Sequence, residues 1–282
     1  MTLPVIKIRA ASRMRLTARF WAPACVAGAF GLIALFARLI APYNPGATDV
    51  LQLLQPPSPE HWLGTDSSGR DLLSRLISGS QTALLGPLIV VVFATIVGSL
   101  LGIVGAWNRG WPDSLIGRVI DLIFSFPSML LALVLVAVFS PGLVPAAIAV
   151  SIVFIAPIAR LVRSSALREV NSPYVEALRV GGLSSWAIGF RHLVPNLLPV
   201  IIAQATTSFG FAMVELAGIS YLGLGVQEPT PDWGVMIEAG QSSIVQGHPQ
   251  EALFAGALLV VAVVSFLLIG DSLSSEPRRS PE

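Results

Sequence analysis

Few side chains in this 282-residue sequence could do chemistry, and their spacing assembles no reaction centre. Lys7 is the only lysine, so there is no G-x-x-x-x-G-K-[ST] phosphate loop, whose lysine reaches the terminal phosphates. Any work driven by ATP must draw it from another chain. No G-x-S-x-G nucleophile elbow is present. His61, His192 and His248 form no H-E-x-x-H pair or close ligand set, so no metal site is expected and each reads as a surface or loop histidine. The lone cysteine, Cys25, excludes an intrachain disulfide framework and reads as a buried, inert thiol. Two acids, Asp121 and Glu215, fall inside apolar runs. A charge in hydrocarbon is costly, which makes both functional candidates. With one acid per helix and no basic partner expected at comparable depth, a proton relay is poorly supported. Structural hydrogen bonding inside a helix bundle is the favoured reading, with pathway lining as its alternative.

The elements that must position these residues are membrane helices. The chain is 54% hydrophobic and only 12% charged, with mean hydropathy +0.77. Soluble domains carry about 25% charge. A net charge of +1 offers no basic field for nucleic acid. Apolar runs at Trp21–Ala41, Thr82–Ala106, Val119–Phe139, Val144–Leu161, Leu197–Leu222 and Ala252–Ile269 predict six spans in an all-α integral membrane protein. The fourth is interrupted by Pro145 and Pro157. The first follows a basic tail, but is too long for the apolar core of a signal peptide and lacks a clear cleavage site. This organisation divides the chain into a tail (1–20), a first helix with an external segment (21–81), a core (82–270) and a second tail (271–282).

Arginine placement sets the expected orientation. With the N-terminus inside, cytoplasmic segments hold Lys7, Arg9, Arg13, Arg15 and Arg19, then Arg109, Arg118, Arg160, Arg163, Arg168, Arg179, Arg191, Arg278 and Arg279. The outside keeps Arg38, Arg70 and Arg75 among eight acids, including Asp66, Asp71, Glu228 and Glu251. Both termini are therefore expected in the cytoplasm. Residues 171–195 then form a cytoplasmic loop between spans four and five. Ser172 can cap a first helix that has Pro173 at its first position and stops at Gly181-Gly182. Ser184 can cap a second helix that ends before Pro195. Leu183, Trp186, Ile188, Phe190 and Leu193 are too apolar for a solvated face and call for a partner surface, their own bundle or the lipid interface. Outside, the stretch around Asp66, Arg70 and Asp71 reads as a locally hydrogen-bonded turn. The segment E-P-T-P-D-W-G reads as a rigid scaffold, with Trp233 at the headgroups or against a partner surface.

EALRVGGLSSWAIGFRHLVPN, residues 176–196, resembles the cytoplasmic "EAA" motif of the membrane subunits of bacterial ATP-binding-cassette importers, E-A-A, three residues, then G. Glu176, Ala177 and Gly182 match, and Leu178 replaces the second alanine. HWLGTDSSGRDLLSRLISGSQTALL (61–85), RVIDLIFSFPSMLLAL (118–133) and ISYLGLGVQEPTPDWGVMI (219–237) are similar to dipeptide, oligopeptide and nickel permeases of the second-subunit type. The resemblance implies a multi-pass permease in the bacterial inner membrane with no bond chemistry of its own. Its partners would be a second permease, two ATPases that bind ATP and magnesium, an extracytoplasmic binding protein and membrane lipid. Glu176, Ala177, Gly181, Gly182, Arg191 and His192 would couple to an ATPase through the helix pair, and this chain would bind no cofactor. Short peptides are the expected solute, with chelated nickel or another small solute as the alternative. A proton-coupled secondary transporter using Asp121 and Glu215 would leave the helix pair unexplained.

Overall fold

Backbone polar groups in hydrocarbon must be satisfied within the chain, and helices do this segment by segment. The computed structural model describes residues 18–108, 110–138 and 140–274. The elements are α1 (Ala18–Leu35), α2 (Ala37–Ile40), α3 (Leu72–Trp107), α4 (Trp111–Phe124), α5 (Ser128–Ala137), α6 (Leu143–Val170), α7 (Pro173–Val180) and α8 (Ser185–Ile188). A π-helical turn (Gly189–Leu193), α9 (Val194–Tyr221), α10 (Trp233–Val245) and α11 (Gln250–Ser274) follow. Among the described residues the only β pairing is the isolated bridge between Thr65 and Asp71. The expected arginines of both tails and Arg109, together with Phe139, lie outside the described residues, as does the side chain of Arg19.

The protein is an all-helical membrane protein, and its spans differ from expectation at identifiable positions. Among the described residues, four helices are long and apolar enough to cross a membrane: α3, α6, the run Ser185–Tyr221 and α11. The third expected span is broken. Helices α4 and α5 meet at 91°, and only together do they make a fifth candidate. Pro127 explains the break, because it lacks an N–H and disfavours helical backbone at Phe126 before it. The first run is also interrupted: Phe36 leaves helical geometry (φ −101°, ψ 13°), and the apolar helix Phe20–Leu35 is short. Its length of about 24 Å falls below the ~30 Å of a hydrocarbon core. By contrast, Pro157 leaves α6 continuous.

Packing is closest where glycines replace side chains. Gly98 and Gly102 of α3 face α6, where an added Cβ would lie 3.0 Å from the Ile155 carbonyl and 2.8 Å from the Ala159 carbonyl. Small residues one turn apart let two membrane helices approach backbone to backbone. Around this seam Val90, Ala94, Val150, Ile158, Leu197 and Leu216 form the larger core. A second core joins α1, α3, α9, α10 and α11 through Phe30, Leu72, Met213, Trp233 and Ala262. Helix α10 was not foreseen, although Asp232 caps it by accepting from Gly234 N at 2.9 Å and Val235 N at 3.3 Å. Trp233 belongs to this core rather than to a headgroup or binding-protein surface. It is buried, donates its indole N–H to the Leu76 carbonyl at 3.0 Å, and meets Phe30 edge-on. Cys25 also corrects the sequence reading: it is exposed on α1, not buried.

Candidate functional site

The helix pair expected from the sequence is built largely as anticipated at its front. Ser172 occupies the cap position of α7, but its hydroxyl donates to the Glu169 carbonyl at 2.6 Å instead of capping the new helix. At the other end, Gly182 N donates to Arg179 O (3.0 Å) and Leu183 N to Leu178 O (3.1 Å), closing a Schellman turn. That turn holds Gly182 at φ +80°, backbone that a side chain strains. Ser184 caps α8 by accepting from Ala187 N at 3.3 Å.

The end of the pair departs from expectation. Pro195 does not stop the second helix. The π turn Gly189–Leu193 carries α8 directly into α9, making one helix from Ser185 to Tyr221. Val194 N reaches back to the Gly189 carbonyl across the wide turn, and Pro195, which has no N–H to donate, follows directly after it.

The apolar residues of the loop divide into two groups. Val175, Ile188 and Leu193 are buried in the chain's own core. Trp186 and Phe190 are 77% and 66% exposed and stack on each other, 5.7 Å between centroids and 9° between planes. Val180 and Leu183 are exposed beside them, with Glu176, Ala177, Gly181 and Gly182 on the same short hairpin. Arg191 is exposed and His192 half-buried on the π turn.

Polar contacts that the sequence did not reveal fix the hairpin to the bundle. Glu169 at the end of α6 accepts from Tyr174 Oη (2.8 Å) and Asn196 Nδ2 (2.7 Å), tying α6, α7 and α9 together. Burial, reinforced by the Glu169 carboxylate, pushes the Tyr174 phenol up to about 12. The Arg179 guanidinium lies 5.1 Å from the centre of the Trp107 ring, which adds the end of α3 to the mounting.

The acids inside the helices are not solitary. Asp121 accepts from Arg160 at 2.6 Å, so a basic partner does stand at its depth, contrary to the sequence reading. Asp113 and Arg163 make a second pair between α4 and α6, with Nη2 to Oδ2 at 2.7 Å. Glu215 accepts from Ser128 Oγ at 2.8 Å, while its other oxygen is buried without a partner among the described residues. Residues spaced far apart in sequence, such as 121 and 160, gave no local signal of this pairing.

At the far end of α9 lies a charged latch. Asp66 accepts from Ser68 N, Arg70 N and Arg70 Nε at 2.8, 2.9 and 2.6 Å, as the expected local turn requires. Asp71 caps α3 through Ser74 N (2.8 Å) and meets His61 Nδ1 at 2.9 Å. The unforeseen member is Glu228, which pairs with both Arg70 and the fully buried Arg75, the latter at 2.9 Å. Burial disfavours the Glu228 carboxylate, but the two guanidinium groups outweigh it and hold its pKa below the ordinary 4.5. The E-P-T-P-D-W-G segment is thereby clamped onto the start of α3. Glu251 is buried nearby with neither oxygen hydrogen-bonded among the described residues.

Apolar helices that carry a sparse set of charge pairs, with an exposed aromatic hairpin at one end, are the architecture of a multi-pass membrane protein. Residues 94–275, well over half the chain, match the family described as binding-protein-dependent transport system inner membrane component, and the chain belongs to that family. It is 39% identical over 244 residues to a dipeptide transport system permease protein, DppC, of Alkalihalophilus pseudofirmus, covering 86% of this chain and 80% of that one. It is 36% identical over 255 residues to the glutathione transport system permease protein GsiD of Pectobacterium atrosepticum, covering 89% and 84%. A probable D,D-dipeptide transport system permease protein, DdpC, of Escherichia coli is 38% identical over 242 residues, covering 86% and 81%. The chain is accordingly a multi-pass inner-membrane component, and the relatives are transport permeases rather than enzymes.

Proposed function

We propose that this chain is one of two permease subunits of an ATP-driven importer for short peptides, and that the α7–α8 hairpin is its docking element for a separate ATPase. The observation that carries the reading is the Trp186–Phe190 stack, open to solvent at the tip of a hairpin whose base is firmly mounted. Large aromatic rings are enriched where protein partners dock, and an exposed stack on a rigid base is suited to that role. The loop containing Glu176 and Gly182 faces the cytoplasm, with both termini on the same side, as arginine placement requires. The Arg70–Arg75–Glu228 latch then lies outside, where a binding protein delivers solute. ATP and magnesium belong to the two ATPases, and this chain contributes no bond chemistry. ATP-driven closure of the ATPase dimer moves the hairpins, and the helix running from Ser185 to Tyr221 carries that motion through the membrane. Short peptides fit the relatives, whose names specify dipeptides, D,D-dipeptides and glutathione.

Two experiments test this. Mild detergent extraction should co-purify a second permease and an ATPase. Deletion of this chain, in a strain without a redundant importer, should abolish growth on dipeptides as an amino-acid source. Persistent peptide uptake would sink the solute assignment, and purification without an ATPase would sink the coupling role.

A further inference from the structure

A charged pair standing open on a membrane helix needs an environment, and lipid does not provide one. Asp121 and Arg160 meet at 2.6 Å, yet their side chains remain 73% and 54% exposed. The neighbouring Asp113–Arg163 pair is better covered. Arg160 lies about 15 Å before the end of α6 at Val170, next to the cytoplasmic end of the expected span at Leu161. The exposed surface around the pair is apolar: Val119, Leu122, Phe124 and Phe126. Charges at such positions face a water-filled cavity or another protein chain.

The adjoining backbone narrows the choice. The Arg160 guanidinium lies 4.0 Å from the centre of the Phe124 ring, and Phe124 is the last residue of α4 before the 91° bend. Non-helical backbone at membrane depth is tolerated where it is buried in protein or lines a cavity, and broken helices recur at transported-solute sites. Just past the break, Ser128 holds one oxygen of Glu215 while the other lacks a partner among the described residues. Two acids and one guanidinium thus flank a single discontinuity.

We propose that the Asp121–Arg160 pair lines the translocation pathway and receives the charged ends of a passing peptide, Arg160 taking the carboxylate and Asp121 the ammonium. The proposal rests on the peptide-permease reading. A zwitterion entering a poorly hydrated passage needs a counter-charge at each end. The guanidinium fork matches a carboxylate in two-point geometry. Insertion exchanges one ion pair for two and leaves net charge unchanged. When empty, the pair closes on itself, so the passage presents no uncompensated charge to inorganic ions. Recognition of the ends alone also leaves side chains free to vary.

The test uses the complete importer, with binding protein and ATPases, reconstituted in liposomes. Ser125 is exposed one helical turn from Asp121 and leaves the ion pair intact. In a Cys25→Ala background, Ser125→Cys should react with a small anionic methanethiosulfonate in the assembled complex. Saturating dipeptide with ATP should slow that reaction at least tenfold. Labelling of the separated chain but not of the assembled importer would place the pair in a chain–chain interface and overturn the proposal. Labelling insensitive to dipeptide would also overturn it. Uptake of labelled dipeptide per ATP hydrolysed should fall at least tenfold in Arg160→Gln, and Arg160→Lys, which keeps the charge but loses the two-point fork, should fall between Arg160→Gln and wild type. Uptake and hydrolysis falling in equal proportion would assign the pair to assembly or coupling instead. Any of these failures leaves the importer reading intact, because wild-type peptide uptake tests that separately.

Discussion

Trp186→Ala removes the outer ring of the aromatic stack at the tip of the α7–α8 hairpin. A tryptophan buries about 150–250 Å² when covered, and with 77% of Trp186 open a partner could cover roughly 150 Å² of it. At about 25 cal/mol per Å² that area corresponds to at most ~4 kcal/mol. Ordering of the interface reduces the net loss to about 2–3 kcal/mol, within the range for interface hot spots. The dissociation constant for the ATPase should therefore rise about 30- to 150-fold. The chain's own stability should change little, since the ring contributes little to its core. The assay is titration of the ATPase onto the permease pair in lipid nanodiscs, with thermal unfolding of the permease as the control. A change of less than threefold, with the complex otherwise intact, would refute the assignment of this stack as the docking surface.

Four further outcomes follow from the same geometry. In a Cys25→Ala background, Ser67→Cys and Ser242→Cys, both exposed, should react with an impermeant thiol reagent in intact cells, whereas Ser184→Cys should not; outside labelling of Ser184→Cys inverts the topology. Gly182→Val meets no neighbouring atoms but must hold φ +80°, so it should cost about 1–3 kcal/mol of hairpin stability and lower transport at normal membrane insertion. Wild-type uptake by that variant would show that the Schellman turn is dispensable. The Glu228 latch should be fully stabilising above pH 4.5 and weaken as pH falls through the lowered folded value; Glu228→Gln should lower the melting temperature at pH 7 and flatten the acid limb below 4.5. Glu215→Gln should retain most uptake, because an amide still accepts from Ser128, and abolished uptake in an assembled complex would assign Glu215 a protonation role.

Local chemistry made much of the fold legible. Pro173, Gly182 and Ser184 marked the hairpin because capping and positive-φ turns depend on residues adjacent in sequence. The apolar runs located the membrane helices because hydropathy is also a local property. What escaped the sequence was pairwise and distant: Asp121 with Arg160, Arg75 with Glu228, and Glu169 with Asn196. Proline acts differently from site to site. Pro127 breaks a helix, Pro157 does not, and Pro195 follows a π turn; the surrounding hydrogen bonds decide, and composition does not show them. An aromatic in a proline-rich segment looks exposed, which is why the sequence points Trp233 to a surface. Its burial depends on α10, whose cap at Asp232 was the available signal.

The wide turn at Gly189–Leu193 also fixes an angle. A π turn is equivalent to one extra residue in an α-helix, and each residue advances a helix by about 100° around its axis. The compass direction of the Trp186–Phe190 face, relative to the side of α9 that packs on the bundle, is therefore set by a residue count. Adding or removing one residue between positions 191 and 193 would swing that face by about a quarter turn while leaving the membrane helix in place. The length of this segment thus sets where the aromatic face points as firmly as its side chains set what that face is made of.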